Sequence, residues 1–377
     1  MNEYEISLMF EEVEEQILKN LKKTMEKNIV NRDVATMTKR DWQDFQTQAL
    51  RGLKEFKKNN KEIFKKESPR IQREIKRLLN DSYEQGLKDT NKEMLKLMEK
   101  GVIPERNPDS IVINDKKMKS LLREIQGTTL KQQEYSILRV PLDKYRSIIG
   151  SAQIYMNSGA GSLWECVDMA TTKYLENGIS TIQYKNGANV NIASYSEMAL
   201  RTANTRATHQ GESDMRSGWG EYLVMVSSYG ACSNTCLSWQ GKVYVDDVYA
   251  EPPKETMNDK YPLLSEAIAG GLYHPNCRHT HTTYYEGYSE VQKETRSDKE
   301  ISDTYKAEQQ QRAIERELRK TKRLRDCCLE DSTKEKLNRK VNTLNKKMRE
   351  HIVNTNKDMG REVLRRDRAR EVNRFRK

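Results

Sequence analysis

A chain of 377 residues that is 35% hydrophobic, 33% charged and 7% aromatic is too long for one ordinary core and too polar to fill a large one. Thin cores and long surface helices in two or three domains are what that balance allows, and no run reaches the roughly eighteen apolar residues that a membrane span needs. The net charge of +11 sits in one place: from Val291 onward there are 27 Lys and Arg against 16 Asp and Glu, leaving 40 of each before it.

Residues 3–29 carry Ile6, Met9, Phe10, Val13, Ile17 and Leu21 at spacings of three and four, the pattern of an amphipathic helix. The start, Met1-Asn2-Glu3-Tyr4-Glu5, has no basic segment leading into an apolar one, so no secretory signal is expected and cysteines are read as ligands or buried thiols of a reducing cytoplasm. After Asn31-Arg32-Asp33 a second helical pattern runs through Trp42, Phe45, Ala49, Leu53 and Phe56. Ser68-Pro69 reads as the cap and first turn of a third, which continues through Ile71, Ile75, Leu78, Leu79 and Leu87 towards Met98 and stops at Gly101, with Pro104 beyond. A shorter helix is expected at about 115–126, ended by Gly127, and another at about 135–157.

Composition then changes. Ser162 can cap a helix through Trp164 and Tyr174, and from Ile179 the period becomes two: residues 180–184 and 188–192 flank Asn186-Gly187, the dipeptide that accepts the positive φ angles of a tight hairpin. Ser194 and Glu197 match a capping box that opens a helix to about Ser217. Leu223–Ser227 and Lys242–Val245 read as further strands. Beyond Gly287 the chain reverts to helix, with Ile314, Leu318, Leu324, Leu337, Val341, Leu344, Met348 and Ile352 keeping a helical spacing and Cys327-Cys328 read as mid-helix. The fold class is therefore mostly α with a small α+β middle domain and long amphipathic helices at both ends. Its expected parts are a helical region 1–150, an α+β domain 151–290 and a basic helical tail 291–377.

Residues 226–286 hold Cys232, Cys236, Cys277, His274, His279 and His281, three of the six cysteines and three of the five histidines. Thiolate and imidazole are the side chains zinc prefers. Cys232 and Cys236 from one loop, with Cys277 and His279 from a second, make a candidate structural zinc site, His274 or His281 being alternates for His279. Buried thiols and hydrogen-bonded histidines without metal, or a Cys232–Cys236 disulfide, are the plainer readings. A nucleobase deaminase would need His-x-Glu with Pro-Cys-x-x-Cys, and a zincin His-Glu-x-x-His; neither occurs. Residues two apart, such as Cys277 and His279, seldom orient as nucleophile and base. No Gly-rich phosphate loop is present, so no nucleotide cofactor is expected. Trp239 and Tyr244 beside Lys242 read as packing for a small sheet more readily than as a stacking surface.

Tyr184-Lys185-Asn186-Gly187, Trp239-Gln240-Gly241-Lys242-Val243-Tyr244 and Gly271-Leu272-Tyr273-His274-Pro275-Asn276-Cys277-Arg278-His279 resemble the phage minor capsid protein 2 family, akin to the Mu F-type head morphogenesis proteins. Met198-Ala199-Leu200-Arg201-Thr202 and Gln311-Arg312-Ala313-Ile314-Glu315-Arg316 support the likeness. The resemblance implies a non-enzymatic minor structural protein of a tailed-phage head, made in the host bacterial cytoplasm and residing in the virion at the head interior or portal vertex. There it would act in head morphogenesis, DNA packaging or ejection, with portal, capsid or scaffold proteins and copies of itself as partners. A head-resident or injected zinc-dependent enzyme and a non-specific DNA-binding packaging accessory are the alternatives. One departure stands out. Where similar proteins lead into Trp-Gln-Gly-Lys with a His, Arg-Pro and a second His, this chain has Tyr229 and Cys236 in place of the two histidines, and Cys232 is additional.

The arginines of the tail, Arg361, Arg365, Arg366, Arg368, Arg370 and Arg374, are candidates for contact with packaged DNA through its phosphates, or with an acidic portal or scaffold surface. Solvated helical charge is the bland alternative.

Overall fold

The structure is a computed structural model that describes residues 1–29, 39–157, 180–183, 189–257, 260–291, 294–328 and 331–367. It is mostly helical with a small antiparallel sheet in the middle of the chain, the class read from the sequence. Helices α1 (Glu3–Ile29), α2 (Lys39–Glu99), α3 (Lys116–Glu124) and α4 (Leu130–Asn157) come first. Strands β1 (Ser180–Gln183) and β2 (Asn189–Asn191) pair antiparallel ahead of α5 (Ile192–Trp219). Then β3 (Leu223–Val226), the single turn α6 (Asn234–Leu237), β4 (Val243–Val245), α7 (Leu264–Ala269) and β5 (His281–Thr283) lead to α8 (Asp298–Cys327) and α9 (Asp331–Asp358).

Several boundaries differ from the sequence reading. Ser68-Pro69 does not open a helix; α2 runs through it for 61 residues. Pro69 denies the Lys65 carbonyl a donor, and Ile71, Ile75, Leu78 and Leu79, all buried along one side, offset that loss. Gly127 ends nothing either, because a π turn over Ile125–Thr129 carries α3 directly into α4. Gly101, at φ 72°, does stop α2, its N–H reaching the Met98 carbonyl at 2.9 Å and that of Val102 reaching Leu97 at 2.9 Å. Helix α5 begins at Ile192, earlier than the Ser194–Glu197 box suggests: Asn191 Oδ1 accepts from the Ala193 N–H at 2.9 Å and acts as the cap. A true box appears further on, where Ser297 and Glu300 exchange backbone N–H bonds at the start of α8. Cys327 ends α8, so the cysteine pair is not mid-helix. The Ser162 helix, the Asn186-Gly187 turn and the side chains of Trp42 and Phe45 lie outside the described residues.

The chain forms two compact units, each assembled from separated segments. One takes Glu5–Ile71, Leu130–Ser196 and Gln309–Lys377. Its core gathers the apolar face of α1 (Ile6, Phe10, Val13, Ile17, Leu21), Phe56 from α2 and Tyr145 from α4. The Phe56 and Tyr145 rings stack at 5.3 Å, and the Tyr145 hydroxyl donates to the Ala49 carbonyl at 2.9 Å. Glu14, buried among these, accepts from Asn191 at 2.8 Å and pairs with Arg323 at 3.3 Å. Ile314, Leu318, Val341 and Met348 form a seam between α8 and α9.

The other unit takes Met1–Tyr4, Gln72–Thr129 and Glu197–Glu308. At its centre the sheet runs β4-β3-β5, all antiparallel, with Val224 opposite Tyr244 on one side and Thr283 on the other. Val224 and Val226 alternate inward and join Cys232, Cys236, Tyr244, Leu264, Ala267, Leu272 and Ile301 in one apolar cluster. Helix α5 lies against α2 where Gly86 and Gly211 let backbones meet: a Cβ on Gly86 would fall 2.5 Å from the Thr208 carbonyl oxygen, and one on Gly211 would overlap that of Tyr83.

Candidate metal centre

Two loops at the end of the sheet carry the cysteines and histidines. The first leaves β3, turns through α6 behind Ser233, and puts Cys236 inside the apolar cluster. It is pinned by the Trp239 indole N–H, which donates to the Gly270 carbonyl at 3.1 Å, and by the Tyr244 hydroxyl, which donates to the Trp239 carbonyl at 2.7 Å. Trp239 and Tyr244 thus serve packing.

The second loop turns at His274-Pro275-Asn276-Cys277. Proline occupies the position whose fixed φ suits it, Asn276 takes the next at φ 67°, and the Cys277 N–H closes the turn on the His274 carbonyl at 2.8 Å. Such a turn brings its two end residues side by side. One ligand atom each from Cys236, His274 and Cys277 lie within 4.8 Å of one another.

The Cys236 and Cys277 sulfurs are 3.6 Å apart, and Cys277 Sγ is 3.2 Å from His279 Nδ1. Two thiolates on one tetrahedral zinc stand about 3.8 Å apart, and a thiolate and an imidazole nitrogen about 3.5 Å apart. The pairs are therefore close to coordinating separations without a bond between the sulfurs. His279 Nε2 lies 3.0 Å from Gln240 Oε1, so an Nε2–H donated to that amide leaves Nδ1 with its lone pair towards the sulfur. The Cys236 thiol, donating to Cys277, holds Cys277 below the ordinary thiol range and is itself held above it. Thiolate is the ligating form of cysteine.

Each candidate residue has a place. Cys236 and Cys277 come together as expected, and His279 touches Cys277 although only two residues separate them. His274, an alternate in the sequence reading, brings a ring nitrogen within 4.8 Å of both sulfurs, with Nε2 on Ser233 Oγ and Nδ1 by the Pro275 carbonyl, each at 2.8 Å. Cys232 packs in the same apolar cluster, burial raising its thiol to about 11, and is not one of the three close ligand atoms. Its sulfur is free, as is that of Cys236, so the two form no disulfide. His281 faces elsewhere, in a second group with His209 and Glu212 that the sequence reading missed; the available signal was the His209-x-x-Glu212 spacing on one helical face. Tyr229, standing where a histidine was anticipated, sets its ring edge-on to His279 at 6.3 Å and donates its hydroxyl to Glu308 at 3.1 Å.

A cleft of about 390 Å³ opens beside the sulfurs, lined by His274, Cys277 and His279 with Lys117, Glu124 and Arg206 at its polar side. In the tail, Arg361 and Arg365 are exposed, the latter 3.7 Å from Glu362, and Arg366 donates to Asn345 Oδ1 at 2.7 Å. Arg368, Arg370 and Arg374 lie outside the described residues.

The family model described as phage minor capsid protein 2 matches residues 2–353, nearly the full length. The chain belongs to the phage minor capsid protein 2 family. A relative described as a structural protein of Lactococcus phage LL-H is 23% identical over 186 residues, which are 48% of this chain and 49% of the relative. The chain thus matches about half the length of that relative. No solved structure matches it. Membership in the minor capsid protein 2 family makes this a bacteriophage structural protein, a component of the virion. Among the described residues no helix is long and apolar enough to cross a membrane.

Proposed function

We propose that this minor capsid protein 2 family member works at the portal vertex inside a tailed-phage head, in head morphogenesis, DNA packaging or ejection, and that a structural zinc ion on Cys236 and Cys277 stiffens its sheet-bearing unit. The family match from residue 2 to residue 353 carries the first part. Its partners are portal, capsid or scaffold subunits, further copies of itself and packaged DNA, and it is made in the cytoplasm of the host bacterium. Quantitative mass spectrometry of purified particles, intact and after dissociation of the capsid shell, tests this. A few copies per particle remaining with the portal fraction are expected; absence from purified particles rejects it.

The 3.6 Å approach of the two sulfurs supports zinc, His274 and His279 being the nitrogen ligands at hand. A clip between loops that are 41 residues apart in sequence converts binding free energy into folding free energy. Chelation is expected to cost the fold about 4 kcal/mol or more, the linkage contribution of an ion present at a thousand times its Kd. Cys236→Ser and Cys277→Ser should each remove one zinc and lower the unfolding midpoint; a metal-free wild-type chain of equal stability rejects the clip.

The 3.2 Å Cys277–His279 contact beside a cleft favours one rival, a zinc- or thiol-dependent enzyme. Cys277→Ser that keeps its stability but loses a hydrolytic activity of the purified protein would select it.

A further inference from the structure

We propose that His209, Glu212 and His281 form a second site, for a divalent transition-metal ion and best matched to zinc, independent of the sulfur centre. His209 and Glu212 are three residues apart on α5 and share a face; His281 opens β5, fixed opposite Val226 by the sheet. One ligand atom from each lies within 4.8 Å of the others. Two imidazoles and a carboxylate are an established ligand set for zinc and for other divalent ions of the first transition row.

The second observation is a concentration of unmet polar atoms. Both ring nitrogens of His209, Nε2 of His281 and Oε2 of Glu212 are buried without a hydrogen-bond partner among the described residues. The two histidines are each 1% exposed. Folded proteins leave only a few such atoms per hundred residues, and here four fall on three neighbouring side chains. Protons alone do not satisfy them. The rings stack with centroids 3.9 Å apart, and His281 Nε2 stands 3.6 Å from Glu212 Oε2, too far for a good hydrogen bond. Charging both stacked imidazoles would set two like charges face to face, away from water. Neutral imidazole is the form that ligates.

An ion accepts one lone pair from each residue and reduces the four unmet atoms to one, the remaining N–H of His209. His281 is already oriented for it: Nδ1 lies 2.9 Å from the Tyr273 hydroxyl, so an Nδ1–H donated to Tyr273 leaves Nε2 as the donor atom. The rings stack face to face, so the ion requires His209 to turn about its Cβ–Cγ bond while His281 keeps its bond to Tyr273. The charges also fit. Carboxylates of Glu93, Asp246 and Asp89 act on Glu212, against the single guanidinium of Arg216, which Asp246 already pairs at 2.7 Å. A dication offsets that excess of carboxylates; an anion here would be repelled. With both histidines buried, Glu212 partly exposed, and α5 tied to β5, the ion is structural.

Cobalt(II) loaded into the full-length wild-type chain separates the two centres, because only a thiolate-bearing site gives sulfur-to-cobalt charge-transfer absorption. Two equivalents are expected, one with and one without those bands. In Glu212→Gln, which keeps the side-chain volume, and in His209→Leu, the band-free equivalent should bind at least about 100-fold more weakly, since even outer-shell losses cost 10–100-fold. The charge-transfer bands should persist, reporting an intact fold and a separate sulfur site. A wild-type spectrum in which thiolate-bound cobalt accounts for all the bound metal overturns the proposal, and so does unchanged metal content in both variants. Band-free cobalt with no thiolate bands supports this site while rejecting the sulfur centre.

Discussion

Arg216 and Asp246 show how much a single pair of residues can hold in a thin core. Their side chains are 1% and 0% exposed and meet at 2.7 Å, and the other Asp246 oxygen accepts the Tyr249 N–H at 3.0 Å. Breaking such a pair leaves a charge stranded away from water, so Arg216→Met is expected to cost about 3–5 kcal/mol in urea unfolding, whereas Arg216→Met with Asp246→Leu should recover most of it. Equal loss in the single and double variants would mean that shape rather than charge matters there. Residue chemistry was legible in part. Cys236 and Cys277 could be paired because soft ligands in two loops favour one ion. That His274 would stand beside Cys277 could not be read, since a type of turn with Asn276 in the left-handed region decides it. His209 offered only its spacing from Glu212 on one helical face; its partner His281 lies 72 residues on, and the sheet register brings them together.

At the scale of elements, the crossing of α2 and α5 at Gly86 and Gly211 fixes where the α5 ligands stand. Gly211→Ala drives a methyl into the Tyr83 carbonyl and should destabilise the chain by about 1–3 kcal/mol. Gly127→Ala, which meets nothing within 4 Å among the described residues, should be neutral or stabilise by about 0.4–1 kcal/mol. Thermal unfolding of both distinguishes close approach from general loss of glycine flexibility: similar midpoints would deny the contact its role. The pattern of apolar residues made α1, the end of α2 at Gly101 and strands β1 to β4 readable, because each is a local periodicity with a local stop. Pro69 and Gly127 misled for one reason. Both are breakers by backbone chemistry, and both are overridden when flanking turns bury enough apolar surface. Strand β5, three residues long with Thr282 exposed, is too short to show a period, and exists because β3 offers it an edge.

For the whole molecule, the excess positive charge lies from Val291 onward, and the exposed Arg365 side chain stands 3.7 Å from Glu362 while Gln311 donates to its carbonyl at 2.8 Å. If the tail meets packaged DNA, binding to duplex DNA should fall steeply with salt, with a log–log slope of about −5 for six neutralised phosphates. Removal of residues 361–377 should abolish it. Negligible binding at low salt would assign the tail to an acidic protein surface instead. The interleaving of the two units has a consequence for synthesis. Ile301 belongs to the cluster around Cys236, and the α8–α9 seam belongs with α1, so a nascent chain that has reached Tyr288 has finished neither half. A premature stop before Ile301 leaves the Cys236 cluster incomplete and the unit that holds the first helix without its last segment, forfeiting both halves at once.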